Sequence, residues 1–192
     1  MSVQDLIAKD IQDSIQVKQA LLKTHLVLIE KAAKMTYECL KSGHKALFFG
    51  NGGSASDSQH LAAEFVGRYE KERRGLPAIA LTTDTSILTA VSNDYGFERV
   101  FERQIEALGN RGDIAFGVST SGNSKNVLLG ITKAKALGLS TVGFSGRSGG
   151  ELKTLADLSI IVPSDKTARI QESHILIGHI ICERVDELWT NR

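Results

Sequence analysis

Apolar residues recur at helical spacing through the first forty-odd positions: Leu6, Ile7, Ile11, Ile15, Leu21, Leu22, Leu26 and Ile29. No proline interrupts them and Ser42-Gly43 supplies a stop, so residues 1–43 read as a helical arm. An arm of that length is hard to bury against one small domain. Part of it is therefore expected to pack on another subunit, the alternative being that it wraps its own domain.

After Gly43 the pattern changes to short, unbroken apolar runs at 46–49, 78–81, 114–118, 141–144 and 158–162. Runs with so little polar alternation suit strands covered on both faces. Helix-length segments lie between them, and a closing helix is expected from about 167 to 189. This rhythm predicts an α/β fold, a three-layer αβα sandwich around a central parallel five-stranded sheet, preceded by a long N-terminal helix. The chain has 192 residues, with no repeat or linker, and reads as one domain over 1–192 with 1–43 as its arm.

Charge excludes some partners. Lys and Arg number 23 against 22 Asp and Glu, a formal net charge of +1, which argues against direct nucleic-acid binding or a grip on an anionic membrane. No stretch is long and apolar enough to span a bilayer, and the first residues lack the basic start and apolar run of a signal peptide. Two cysteines without C-x-x-C spacing make no disulfide framework. A cytoplasmic protein is the expectation.

In a parallel α/β sheet, ligands collect where strands end and helix N-termini point outward. Gly50-Asn51-Gly52-Gly53-Ser54-Ala55 fits G-x-G-x-x-A, a weak dinucleotide signal for which Asp84 would serve as the ribose-binding acid. Ser119-Thr120-Ser121-Gly122-Asn123-Ser124 places four hydroxyls in six residues after a strand, a set of donors that suits a phosphate monoester. Plain turn and capping chemistry is the alternative for that loop. A third loop, Ser145-Gly146-Arg147-Ser148-Gly149-Gly150, is assigned no role beyond a turn.

His60 and Glu64, four apart, share one helical face and can converge on an ion or substrate, or form a solvated surface pair. In the closing helix Gln171 and His179 differ by roughly 80° and share a broad face two turns apart. His179 sits in an apolar run, either as a satisfied core histidine or as a functional group in a dry site. A phosphate cradle, a carboxylate and a histidine together suit proton transfer at a carbon next to a carbonyl, as in aldose–ketose isomerisation of a sugar phosphate. The two imidazoles and the carboxylate would also suit zinc.

Four runs carry a resemblance: the Gly50 loop, Ser92-Asn93-Asp94-Tyr95-Gly96, the Ser119 loop, and Thr167-Ala168-Arg169-Ile170-Gln171-Glu172-Ser173-His174. They closely resemble the bacterial phosphoheptose isomerases, sugar isomerase (SIS) domain proteins, over essentially the whole chain. The serine loop is shared widely among SIS proteins, whereas its combination with His60, Glu64, Gln171 and His179 is much narrower. The resemblance implies conversion of sedoheptulose 7-phosphate to D-glycero-D-manno-heptose 7-phosphate, the entry to ADP- or GDP-heptose for lipopolysaccharide core or other glycans. It implies a homotetramer with active sites between subunits and one zinc per subunit on His60, Glu64, Gln171 and His179. Glu64 would take the carbon-bound proton and His179 would be its acid/base partner. Substrate would be held by Asn51, Gly52, Gly53, Glu64, Asn93, Asp94, Ser119, Thr120, Ser121, Ser124 and Gln171.

A tetrameric SIS protein that binds the bacterial replication initiator looks alike around 76–84. In that protein the positions matching Glu64 and His179 are not the catalytic types, and its serine loop is altered at the place of Ser121. All three residues are present here. A sugar-phosphate sensor is a further alternative, but its usual DNA-binding domain has no room in this length.

Overall fold

The computed structural model describes residues 1–191; Arg192, the last position of the expected domain, lies outside them. The arm is two helices, α1 (Val3–Thr24) and α2 (Leu26–Lys41). They part at His25, whose Nε2–H donates to the Ile161 carbonyl at 2.9 Å and so ties the joint to a strand edge. α2 buries Ile29, Ala32, Ala33, Tyr37 and Leu40, whereas α1 buries only Leu21. The single long helix read from the sequence is therefore a packed half and an exposed half.

The chain continues through β1 (Ala46–Gly50), α3 (Gly53–Val66), β2 (Ala78–Ala80), α4 (Thr85–Tyr95), a 3-10 turn (Phe97–Arg99) and α5 (Val100–Leu108). It then forms β3 (Ile114–Val118), α6 (Lys125–Ala136), β4 (Ser140–Gly146), α7 (Leu152–Leu155), β5 (Leu158–Val162) and α8 (Thr167–Thr190). All five strands pair in parallel in the order β2-β1-β3-β4-β5. This is the expected sheet, with strand ends within two residues of those read from the apolar runs.

Strand side chains alternate between two cores, as a period of two requires. Phe48, Phe116 and Phe144 face α2, α3 and α8, where Phe48 stacks on Phe116 at 4.7 Å and on Phe65 at 5.9 Å. Leu47, Phe49 and Ala115 face the other layer, against Phe101, Ile105, Val127 and Ile131 of α5 and α6. Two apolar faces explain why no strand shows polar alternation. The chain leaves β1 toward β2 on one side and returns to β3 on the other. The carboxyl ends of β1 and β3 thus flank the switch point where open α/β sheets bind ligands.

Candidate active site

Three loops meet at that edge. After β1, Gly52 takes a positive φ of 56° and opens α3 without a side-chain cap, the N–H groups of Ser54 and Ala55 donating instead to the Asn51 and Gly52 carbonyls at 3.0 Å. Asn51 and Asn126 exchange a pair of amide hydrogen bonds, both 2.9 Å, which lock this loop to the start of α6. The Gln171 carboxamide lies directly against Gly53, close enough that any β-carbon there would collide with it. A side chain at this position would have to displace that carboxamide.

In the loop after β3, the Ser119 hydroxyl sits 2.8 Å from that of Ser124 and 3.4 Å from that of Ser121. Ser124 occupies the N-cap of α6 yet makes no capping bond with its side chain. Its hydroxyl turns instead toward Ser119, which removes the capping alternative for that residue. Three hydroxyls so grouped match the hydrogen-bonding needs of a compact anion.

The third loop, assigned nothing from sequence, braces the second. Gly122 packs on the Gly149 carbonyl, Leu152 N–H donates to the Gly122 carbonyl at 3.0 Å, and Glu151 N–H donates to Asn123 Oδ1 at 2.9 Å. Its three glycines directly after a strand were the available clue.

Farther down α3 and α8, His60 and His179 face each other, Nε2 to Nε2, at 2.9 Å, and Glu64 Oε1 lies 3.2 Å from His60 Nε2. The helices approach this closely because Gly178 packs on Leu61 with no side chain between them. One nitrogen from each imidazole and one Glu64 oxygen lie within 4.8 Å of one another. Two imidazoles and a carboxylate form a donor set that zinc takes in open catalytic sites, so these residues fit such an ion. Burial, with His60 beside it, holds the His179 imidazole below its ordinary pKa, while Glu64 pulls the other way. His179 is thus neither fully buried nor a core histidine. The His60 side chain is 50% exposed, so the cluster opens to solvent within one chain.

Gln171 stands apart from the cluster. It precedes His179 by eight residues, about 12 Å along the helix axis, and is held at Gly53 instead. Asn93 and Asp94 bond to one another on the exposed end of α4, a helix that packs toward α5. Asp84 accepts from Ile87 N–H at 2.9 Å as the cap of α4, which leaves the dinucleotide reading without its acid.

Other residues at the site escaped the sequence reading. Asp57, one turn before His60, has a buried oxygen without a partner, and burial raises its pKa against the pull of His60. Tyr69 lays its ring 5.5 Å from that of His179. Helical spacing from His60 would have found Asp57, but nothing local marks Tyr69.

The SIS domain family matches residues 11–146. The phosphoheptose isomerase of Aquifex aeolicus is 54% identical over 186 residues, 97% of each chain. That of Helicobacter pylori is 50% identical over 190 residues, 99% of each. The structure of the Neisseria gonorrhoeae phosphoheptose isomerase superposes with a TM-score of 0.92 at 42% identity, covering 97% of this chain and 100% of that one.

Proposed function

The chain belongs to the SIS-domain proteins and, within them, to the phosphoheptose isomerases, and on that premise we propose how its own residues carry the reaction. It is an aldose–ketose isomerase that converts sedoheptulose 7-phosphate to D-glycero-D-manno-heptose 7-phosphate in heptose biosynthesis. We take residues 1–192 as one SIS unit with 1–43 as its arm, acting in the cytoplasm ahead of ADP- or GDP-heptose formation.

The observation that carries the mechanism is the convergence of His60, Glu64 and His179 from two helices far apart in sequence. Glu64 takes the proton from C1 of the ketose while O2 gains one, giving an enediol. Return of a proton to C2, with loss of the O1 proton, leaves the aldehyde. His179 moves the proton between the oxygens, a role suited to an imidazole held below its ordinary pKa and therefore neutral. Ser119, Thr120, Ser121 and Ser124 take the phosphate, and Asn51, Gly52, Gly53 and Gln171 line the path between phosphate and acid/base pair. Asn93 and Asp94 would meet substrate hydroxyls.

Zinc would be held by His60, Glu64 and His179, and when bound would polarise the oxygens of the substrate. Gln171 completes this set only when supplied by a neighbouring subunit, because within one chain it sits about 12 Å up the helix. The same conclusion follows from α1, which exposes Leu6, Ile7, Ile11 and Ile15 along one face. A stripe at helical spacing that the chain does not cover suits helices of further copies, in line with a homotetramer. No described helix is long and apolar enough to cross a membrane.

Proton NMR of the protein with sedoheptulose 7-phosphate in deuterated water tests this reading. The aldose phosphate is expected to appear, with deuterium at C2 where the proton exchanges with solvent. Glu64→Gln should keep the fold and lose turnover. Failure to form product with the parent protein, with or without added zinc, refutes the reading and sends the initiator-binding alternative to test.

A further inference from the structure

Residues 67–77 join α3 to β2 without regular structure, yet they are fastened by a buried ion pair. Arg73 Nε donates to Asp186 Oδ1 at 2.5 Å, and both side chains are 1% exposed. The N–H groups of Glu70 and Lys71 donate to the other oxygen of Asp186 at 3.1 and 3.2 Å. The rest of the guanidinium closes the end of α3: Nη2 donates to the Glu64 carbonyl at 2.9 Å, and Nη1 to those of Phe65 and Gly67 at 2.9 and 3.3 Å.

One side chain therefore ties the last turn of the helix bearing His60 and Glu64 to the helix bearing His179. The segment it fastens also sets the Tyr69 ring against the His179 imidazole, at 5.5 Å and 35° between planes. Buried ion pairs add little net stability compared with apolar packing of the same volume. What this pair supplies is fixed geometry, because a guanidinium fork holds several acceptors at set angles.

We propose that Arg73 and Asp186 are positioning residues for the isomerisation, acting through Tyr69, which backs His179 and keeps its ring turned toward His60 and Glu64. This rests on the reading of Glu64 and His179 as the acid/base pair. Misplacing a reacting group by about 1 Å costs on the order of 100-fold in rate, so loosening the segment should act on turnover rather than on phosphate binding.

The test measures kcat, KM and thermal unfolding for Tyr69→Leu, Tyr69→Phe and Asp186→Asn beside Glu64→Gln. Tyr69→Leu leaves the ion pair in place and should lower kcat by about 10- to 100-fold with KM within about threefold of the parent. Tyr69→Phe keeps the ring and should recover kcat to within about threefold. Asp186→Asn should lower kcat likewise and shift the emission of Trp189, the single tryptophan, over which Arg74 of the same segment lies at 5.1 Å. Should Asp186→Asn fail to fold, the two Tyr69 variants decide alone. The proposal is overturned if Tyr69→Leu keeps kcat within about twofold, if its loss falls on KM, or if phenylalanine rescues no better than leucine. Retained turnover in Glu64→Gln would instead bring down the acid/base reading itself.

Discussion

Gly178→Ala separates two opposed effects whose sizes can be worked out. In an ordinary helix interior the change stabilises by about 1 kcal/mol, since alanine is the better helix former. Here the new methyl would lie 2.5 Å from Leu61 Cδ2 and 2.7 Å from Cδ1, against roughly 3.5–4.0 Å for carbon atoms at rest. Leu61 is 3% exposed and packed in the core, so its side chain is hemmed in rather than free to swing into solvent. The helices must therefore part by about 1 Å, an overpacking that costs about 1–3 kcal/mol and leaves the variant less stable by up to about 2 kcal/mol. His60 and His179 are the chain neighbours of these two residues, so their 2.9 Å approach opens by a similar distance. Turnover should fall about 100-fold and metal affinity with it. The assay is a double-mutant cycle with Leu61→Ala, read by kcat and by denaturant unfolding. The double variant should recover turnover and show a coupling of at least about 1 kcal/mol. A Gly178→Ala protein that melts higher than the parent and keeps its kcat would refute the reasoning.

Burial pushes the His174 imidazole down to about 4, although its Nε2–H donates to the Ser145 carbonyl. The unfolded chain then binds the extra proton first, so stability is lost as pH falls from about 6.5 to about 4, by about 3 kcal/mol in all. Denaturant titrations across that window should show this slope, and His174→Asn should flatten it. Ser121→Ala and Ser124→Ala should raise KM for the sugar phosphate several-fold with a smaller change in kcat, and unchanged KM in both would contradict the hydroxyl cradle. A chelator should lower activity and zinc restore it, with the His60→Ala variant insensitive to both. Ile7→Glu with Ile11→Glu should shift the sedimentation coefficient to that of a smaller species, because charges on the α1 stripe oppose its burial.

How much of this was legible in the chain depends on the range of the interaction concerned. The strands were readable because burial on both faces writes itself into consecutive residues such as Ile114-Ala115-Phe116-Gly117-Val118. The serine loop was readable because its hydroxyls are neighbours in sequence. His60 and Glu64 were readable as a pair through helical spacing, but their meeting with His179 is set by the packing of α3 on α8 at Gly178 and Leu61. The break at His25 was invisible, since the apolar spacing runs through it and its cause is the carbonyl of Ile161, far along the chain. Arg73 and Asp186 carry no mark in the sequence, because they lie 113 residues apart and only the fold buries them together. The third loop looked like a turn because its use lies in contacts to Gly122 and Asn123.

On the proposed assembly, the exposure of the His60–Glu64–His179 cluster and the bareness of α1 have one explanation. Proton transfer through an enediol needs a site from which water is largely excluded, since bulk water would quench the intermediate and weaken every charge interaction in it. Within one chain that condition fails: the side chains of His60 and Glu64 are 50% and 23% exposed, and Gln171 is held a long way up the helix. The core itself is well supplied, for β1 and β3 are buried along their whole length and α2, α3, α5, α6 and α8 each pack apolar residues against the sheet. Exposed large apolar residues occur on several elements, Val66, Ile79, Phe97 and Leu188 among them, but α1 lines up Leu6, Ile7, Ile11 and Ile15 on one stripe, and the His60–Glu64–His179 cluster is open as well. Assembly would cover both at once, supplying the missing ligand and the missing wall. On this argument the substitutions on α1 that dissociate the protein should also abolish turnover while each chain keeps its sheet and its helices.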